Sequence, residues 1–253
     1  RFGAAYRAYR RWAGAVLPRL SRLLWAAGRA GLIPVRVEGR ENLPPSGPVI
    51  LVANHTCYLD PTFLIAAQDR PIRFPTTAEV FRRPLSRWFM GRMGCICVRR
   101  YRPDPAAAAA VVAALAAGEV VGFFPERERS FTGSYQGADP GVAAAAARLA
   151  VPVIPVGING GYQFGPRWAD TLRRRPVLVR FGAPLDFAGR PPAEVIDRGI
   201  RELLDDDPQP RERIAFSPIE TRPKLKLPDG VRMVIWPVLA LEDWDISRAM
   251  ARM

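Results

Sequence analysis

From residue 49 onward the chain alternates short, continuously apolar runs with longer segments of small or helix-forming residues. VILVAN (49–54), CICV (95–98), VVGFFP (120–125), VPVIPVGI (151–158, interrupted by prolines) and PVLVRFG (176–182) have the length and apolarity of buried strands. Between them, PTFLIAAQ (61–68) reads as a helix with Asp60 as N-cap and Pro61 at its first position. DPAAAAAVVAALAAG (104–118) and GVAAAAARLA (141–150) read as further helices, the former with an acidic cap and a terminating glycine. Their alanine runs let helices pack close to a sheet. Ahead of this alternation, VRVEGR is strand-like and ENLPPSGP is rich in turn residues. Strands separated by helices require crossovers, so the pattern predicts an α/β domain over 35–205. Its central sheet is expected to be largely parallel and flanked by helices.

The two ends read differently. On a 3.6-residue repeat, Phe2, Tyr6, Tyr9, Ala13, Val16, Leu20 and Leu24 share one side, and Arg1, Arg7, Arg11, Arg19 and Arg22 the other. Residues 1–36 hold eight arginines and no acid. A helix with an all-cationic polar face suits an interface, its guanidinium groups on lipid phosphates and its aromatic and leucine side chains in the headgroup boundary. Residues 1–34 are therefore expected to form an amphipathic, membrane-associating segment bent or divided at Pro18; packing on the chain's own domain is the alternative. LLDDDPQPRER looks like a linker, and residues 206–253 form a C-terminal extension that could be a hairpin, a helix or a membrane contact.

Composition narrows the picture. The 253 residues, 49% of them hydrophobic, suffice for one sizeable core. Thirty-seven Lys and Arg against 24 Asp and Glu give a net charge of +13, which draws polyanions to the surface. Nucleic acid is the less favoured partner, because the N-terminal arginines alternate with apolar residues and no zinc-finger or RNA-binding signature is present. No run of 18 apolar residues and no signal peptide occurs, so a peripheral location on the cytoplasmic face of a membrane is expected. The chain opens on Arg rather than Met, which leaves room for an upstream segment. Cys57, Cys95 and Cys97 are an odd number in a large chain, which argues against a disulfide framework and for a reducing compartment, and with one histidine they make a poor zinc set. Neither a metal nor a resident cofactor is expected.

That one histidine stands in NHTCYLDP, where a strand ends at Asn54, a loop carries His55, and Asp60 opens the next helix. On a continuous helix residues five apart diverge by about 140°. A loop removes that constraint and lets the imidazole fold back onto the carboxylate. Asp60 would then fix the tautomer and leave the other ring nitrogen to take a proton. A helix cap beside an ordinary loop histidine is the plainer alternative.

Three further blocks tip the balance. GCICVRR (94–100), FFPERERS (123–130) and VPVIPVGING (151–160) follow in order, and with the His-x4-Asp block they resemble the motifs of the glycerolipid acyltransferase family. The resemblance runs from about residue 35 to 187 and implies transfer of a fatty acyl group from coenzyme A or acyl carrier protein to a lipid hydroxyl. It implies His55 as general base oriented by Asp60. Arg100 and Arg129 would bind the acceptor phosphate, and Phe124, Pro125, Glu126 and Ser130 match the third motif, with Glu126 and Ser130 as further substrate-binding candidates. The expected acceptor is the lysophospholipid 1-acylglycerol-3-phosphate, and the product phosphatidic acid. Arg127 and Glu128 stand where the family usually has Gly and Thr, which keeps another lysophospholipid or an amino-acid lipid open as acceptor. A thioesterase, an inactive relative and a Cys57 acyl-enzyme are the remaining alternatives.

Overall fold

The computed structural model describes residues 33–99, 103–166 and 175–205, together with 23, 26, 27, 30, 172 and 173. The expected interfacial segment therefore falls almost wholly outside the described residues, as does the extension 206–253.

The described strands are β1 (Val35–Glu38), β2 (Val49–Ala53), β3 (Ile72–Arg73), β4 (Pro75–Thr77), β5 (Ile96–Val98), β6 (Val120–Phe123), β7 (Val153–Asn159) and β8 (Val177–Phe181). Six of them form one sheet in the order β1-β8-β7-β2-β6-β3, parallel throughout except between β7 and β8. The described helices are α1 (Asp60–Ala67), α2 (Pro84–Arg92), α3 (Pro105–Ala116), α4 (Pro140–Arg148), the single turn α5 (Gly161–Phe164) and α6 (Pro192–Arg201).

β2 sits at the centre and is buried along its whole length. Val49, Leu51 and Ala53 face one hydrophobic cluster with Phe63 and Leu64 of α1, whereas Ile50 and Val52 face a second with Ala107, Ala143, Ile196 and Ile200 of α3, α4 and α6. Two buried faces explain why the strand reads as unbroken apolarity rather than alternation. The alanines act as anticipated, Ala143 and Ala146 being buried where α4 meets the core.

Three local expectations change. CICV contributes only β5, which lies outside the main sheet and pairs with β4 in a two-stranded parallel sheet. β7 is continuous despite Pro155, which stands opposite Gly182 just beyond the last residue of β8, so its missing N–H falls where the β7–β8 ladder ends. β3, β4, α2 and α6 add to the expected elements; the two strands are only two and three residues long, whereas α6 has its apolar residues Val195, Ile196 and Ile200 at helical spacing.

The carboxyl end of β2 is locked to β7 by Asn54. Its amide donates to the Ile158 carbonyl at 3.0 Å and accepts from the Ile158 N–H at 2.7 Å, all buried. Asn54→Ala removes both bonds and leaves the Ile158 groups unpaired, and should cost about 2–4 kcal/mol in urea unfolding. A loss below about 1 kcal/mol would show that the lock contributes little.

Candidate active site

His55 follows this lock directly. Its Nδ1 lies 2.9 Å from Asp60 Oδ2, and the same oxygen accepts from the backbone N–H groups of Thr56 (2.7 Å) and Cys57 (2.8 Å). The expectation that Asp60 is the N-cap of α1 is corrected: Leu59 occupies that position, no side chain caps the helix, and the Asp60 carboxylate turns back into the loop. Pairing with Oδ2 assigns the ring proton to Nδ1 and leaves Nε2 as acceptor. The Asp60 side chain is fully buried, and the His55 side chain keeps 18% exposure. The dyad thus meets solvent through the imidazole alone.

The third-motif segment holds the histidine loop from the other side. The His55 N–H donates to Glu126 Oε1 at 2.6 Å, and the Ser130 N–H donates to the His55 carbonyl at 2.8 Å. Phe124 stacks on the imidazole, with centroids 4.0 Å apart and planes at 19°. Phe74 stacks behind Phe124 at 5.8 Å. Gly122 makes room for this column, since a Cβ there would lie 2.5 Å from the Phe74 ring. Burial pushes the Glu126 carboxyl up to about 7, against the N–H groups of Gln136 and His55 that favour its ionised form.

The remaining expected site residues are placed unequally. Arg129 carries its guanidinium 5.7 Å above the Tyr58 ring, beside the histidine loop. Ser130 is fully buried, and its hydroxyl accepts from the Gly133 N–H at 3.0 Å. The hydroxyl braces its own loop, and it is the Ser130 backbone that reaches the histidine loop; a substrate contact would instead leave the side chain facing an open space. Arg100 lies outside the described residues. Cys57 is buried, and burial pushes its thiol up to about 11, leaving it almost entirely protonated near neutrality.

Arg127 has φ 64°, the left-handed conformation that favours glycine. Its side chain does not fill the site: Nη1 donates to Asp139 Oδ2 at 2.9 Å, at the cap of α4. Partial burial alone would raise the Asp139 carboxyl, but the hydrogen bonds from Arg127, Val142 and Gly141 outweigh it and hold it below the usual range.

Two parts of the site were missed in the sequence. Asp60 Oδ1 and Thr56 Oγ1 are buried without a hydrogen-bond partner among the described residues. Gly161, just after the fourth motif, abuts both, a Cβ there falling 2.8 Å from each. A cavity of about 630 Å³ runs past this point, walled in part by Asn54, Thr56, Gly161, Tyr162, Arg36 and Arg201. The glycine after the proline-bearing strand was the available signal, but a lone glycine does not reveal what it approaches.

A His–Asp pair at the carboxyl end of a central parallel strand, clamped by a Phe-Pro-Glu turn, lies where open α/β sheets place their ligands, and its geometry allows it to take up a proton. The Acyltransferase family model matches residues 34–159, which contain all of these elements. The chain belongs to the glycerolipid acyltransferase family. A 1-acyl-sn-glycerol-3-phosphate acyltransferase of Chlamydomonas reinhardtii is 35% identical over 155 residues, 60% of this chain and 46% of that protein. The chloroplastic enzyme of that name from Arabidopsis thaliana is 30% identical over 54% of this chain and 39% of its own length. The chain thus spans less than half the length of these two relatives. The crystal structure of the 1-acyl-sn-glycerophosphate acyltransferase of Thermotoga maritima superposes with a TM-score of 0.60 at 25% identity, covering 77% of this chain and 82% of that one.

Gly161→Ala should displace Asp60 or Thr56 and loosen the hold on Nδ1. Because His55 is the only histidine, nitrogen NMR of histidine-labelled protein reads this directly. The parent should show the neutral Nδ1–H tautomer, and the variant a mixture with Nε2–H; an unchanged tautomer would show that the glycine is not needed there. Arg127→Gly should shift unfolding free energy by less than about 1 kcal/mol. Relief of the left-handed strain is offset by loss of an exposed ion pair and greater freedom of the unfolded glycine. A loss above about 2 kcal/mol in urea unfolding would contradict this balance.

Proposed function

We propose that the protein transfers a fatty acyl group from an acyl thioester to the hydroxyl of 1-acylglycerol-3-phosphate, giving phosphatidic acid. The bond between His55 Nδ1 and Asp60 Oδ2 carries this reading, because it leaves Nε2 as a proton acceptor on a ring that keeps 18% exposure. As the acceptor hydroxyl attacks the thioester carbonyl, Nε2 takes its proton. Collapse of the tetrahedral adduct breaks the carbon–sulfur bond, and the same proton passes to the departing thiolate of coenzyme A or acyl carrier protein. Asp60 stabilises the transient imidazolium, and no acyl-enzyme is needed. Arg129, whose guanidinium lies over Tyr58 beside the loop, and Arg100, which stands at the matching position of its motif, are proposed to bind the acceptor phosphate.

The departure at Arg127 does not argue against a phosphate-bearing acceptor. Its side chain is engaged at the cap of α4, and its backbone takes the turn conformation that a glycine would. No helix among the described residues is long and apolar enough to cross a membrane. Attachment to the cytoplasmic face of an anionic membrane is part of the proposal.

With vesicles and labelled acyl-CoA, the parent should acylate lysophosphatidic acid in preference to glycerol-3-phosphate, lysophosphatidylcholine and a lyso-amino-acid lipid. His55→Ala should lower turnover by about 10²- to 10⁴-fold, the contribution of a positioned base, and Asp60→Asn should also be severely impaired, both with parental circular dichroism. Cys57→Ser should remain active, and donor alone should leave no acyl adduct by intact mass. Normal turnover in His55→Ala would overturn the mechanism, and free fatty acid release unaffected by acceptor would replace transfer with hydrolysis.

A further inference from the structure

Helix α2 carries a surface that the chemistry above does not use. Leu85, Trp88 and Phe89, spaced i, i+3 and i+4 on one face, are 77%, 53% and 42% exposed. Large apolar side chains so grouped on a protein surface mark an interaction site. The charge around them has one sign: between Glu79 and Asp104 the sequence holds seven arginines and no acid. Arg82, Arg83 and Arg87 are exposed at or beside the helix, and the Arg92 guanidinium lies 4.3 Å over the Trp88 ring. The opposite face of α2 is anchored. Met90 and Phe81 pack on the core cluster that contains Cys57 and borders Leu59 and Phe124, so α2 covers the same sheet face as the residues flanking the dyad.

We propose that the outer face of α2, with Leu85, Trp88 and Phe89 among Arg82, Arg83 and Arg92, docks on the surface of an anionic bilayer. An interfacial element needs apolar and aromatic groups that enter the headgroup boundary and cations that meet lipid phosphates, and this face supplies both between Arg82 and Arg92. A second copy of the chain would bring arginines against arginines. Residues 1–36, also rich in arginine and devoid of acid, meet the same repulsion. Nucleic acid would use the guanidinium groups but gain little from an exposed leucine and phenylalanine. The bilayer as source of the acceptor rests on the acyltransferase reading; the docking surface itself does not.

The test uses the full chain and equimolar phosphatidylcholine and phosphatidylglycerol vesicles, with and without brominated acyl chains. The part of the tryptophan emission that is lost in Trp88→Phe should be quenched by the brominated vesicles. Combined Leu85→Ser, Trp88→Ser and Phe89→Ser should lower vesicle partitioning at least tenfold with parental circular dichroism. Combined Arg82→Gln and Arg83→Gln should lower it about fivefold per arginine removed, and less in high salt. If Trp88 is not quenched, the face is covered by residues 206–253, by another copy or by nothing, and the proposal fails. Partitioning unchanged in the triple variant, or lost to competing DNA, would overturn it as well. Neither readout involves acyl transfer, so an inactive protein whose Trp88 is quenched would refute the enzymatic reading alone, and an active one whose Trp88 is not quenched would refute the docking alone.

Discussion

One carboxylate oxygen organises the site. Asp60 Oδ2 receives the imidazole Nδ1 and two consecutive backbone N–H groups, from Thr56 and Cys57. Those amides can converge only if the chain bends tightly after β2, and the bend is what brings a ring five residues earlier back over the start of α1. Full burial of the carboxylate strengthens each of these bonds, because few waters compete for the oxygen and the local dielectric is low. The aspartate therefore shapes the loop as well as the ring, and a change at this position acts on both.

The loop is also held by its own backbone, which separates where the imidazole sits from what it does. Glu126 accepts the His55 N–H and Ser130 donates to the His55 carbonyl, so the third motif grips both peptide groups of the residue it serves. Asn54 fixes the preceding residue to β7. The column of Phe74 and Phe124 closes one face of the ring, at a spacing that Gly122 permits. Motifs far apart in sequence meet here because β2 lies between β6 and β7 in the sheet.

That adjacency also explains what could be read in advance. Strands buried on both faces show as apolar runs, and the capped or alanine-rich segments between them show as helices, so most of the central sheet and α1, α3 and α4 were legible. β3 and β4 are too short to carry a periodic signal, and α2 exposes its apolar residues, reversing the pattern by which a helix is usually recognised. The pairing of His55 with Asp60 was legible because both ends of the loop were marked, one by a strand and one by Pro61. Gly161, Asn54 and the inward turn of Ser130 were not, since each owes its role to a neighbour about a hundred residues away or to burial that appears only in the folded chain.

The unusual third motif illustrates how sequence identity and backbone geometry part company. The turn after Glu126 needs a residue at positive φ, and glycine meets that need without strain. Arginine at φ 64° pays roughly 1–2 kcal/mol in local sterics. It recovers part through the Asp139 pair and part because an unfolded chain with arginine here has less backbone freedom to lose on folding than one with glycine. The sum is close to zero, and with arginine in the turn Glu126 and Ser130 both bond the His55 backbone. What the site requires at this position is a conformation, and the side chain is at liberty to do other work at the cap of α4.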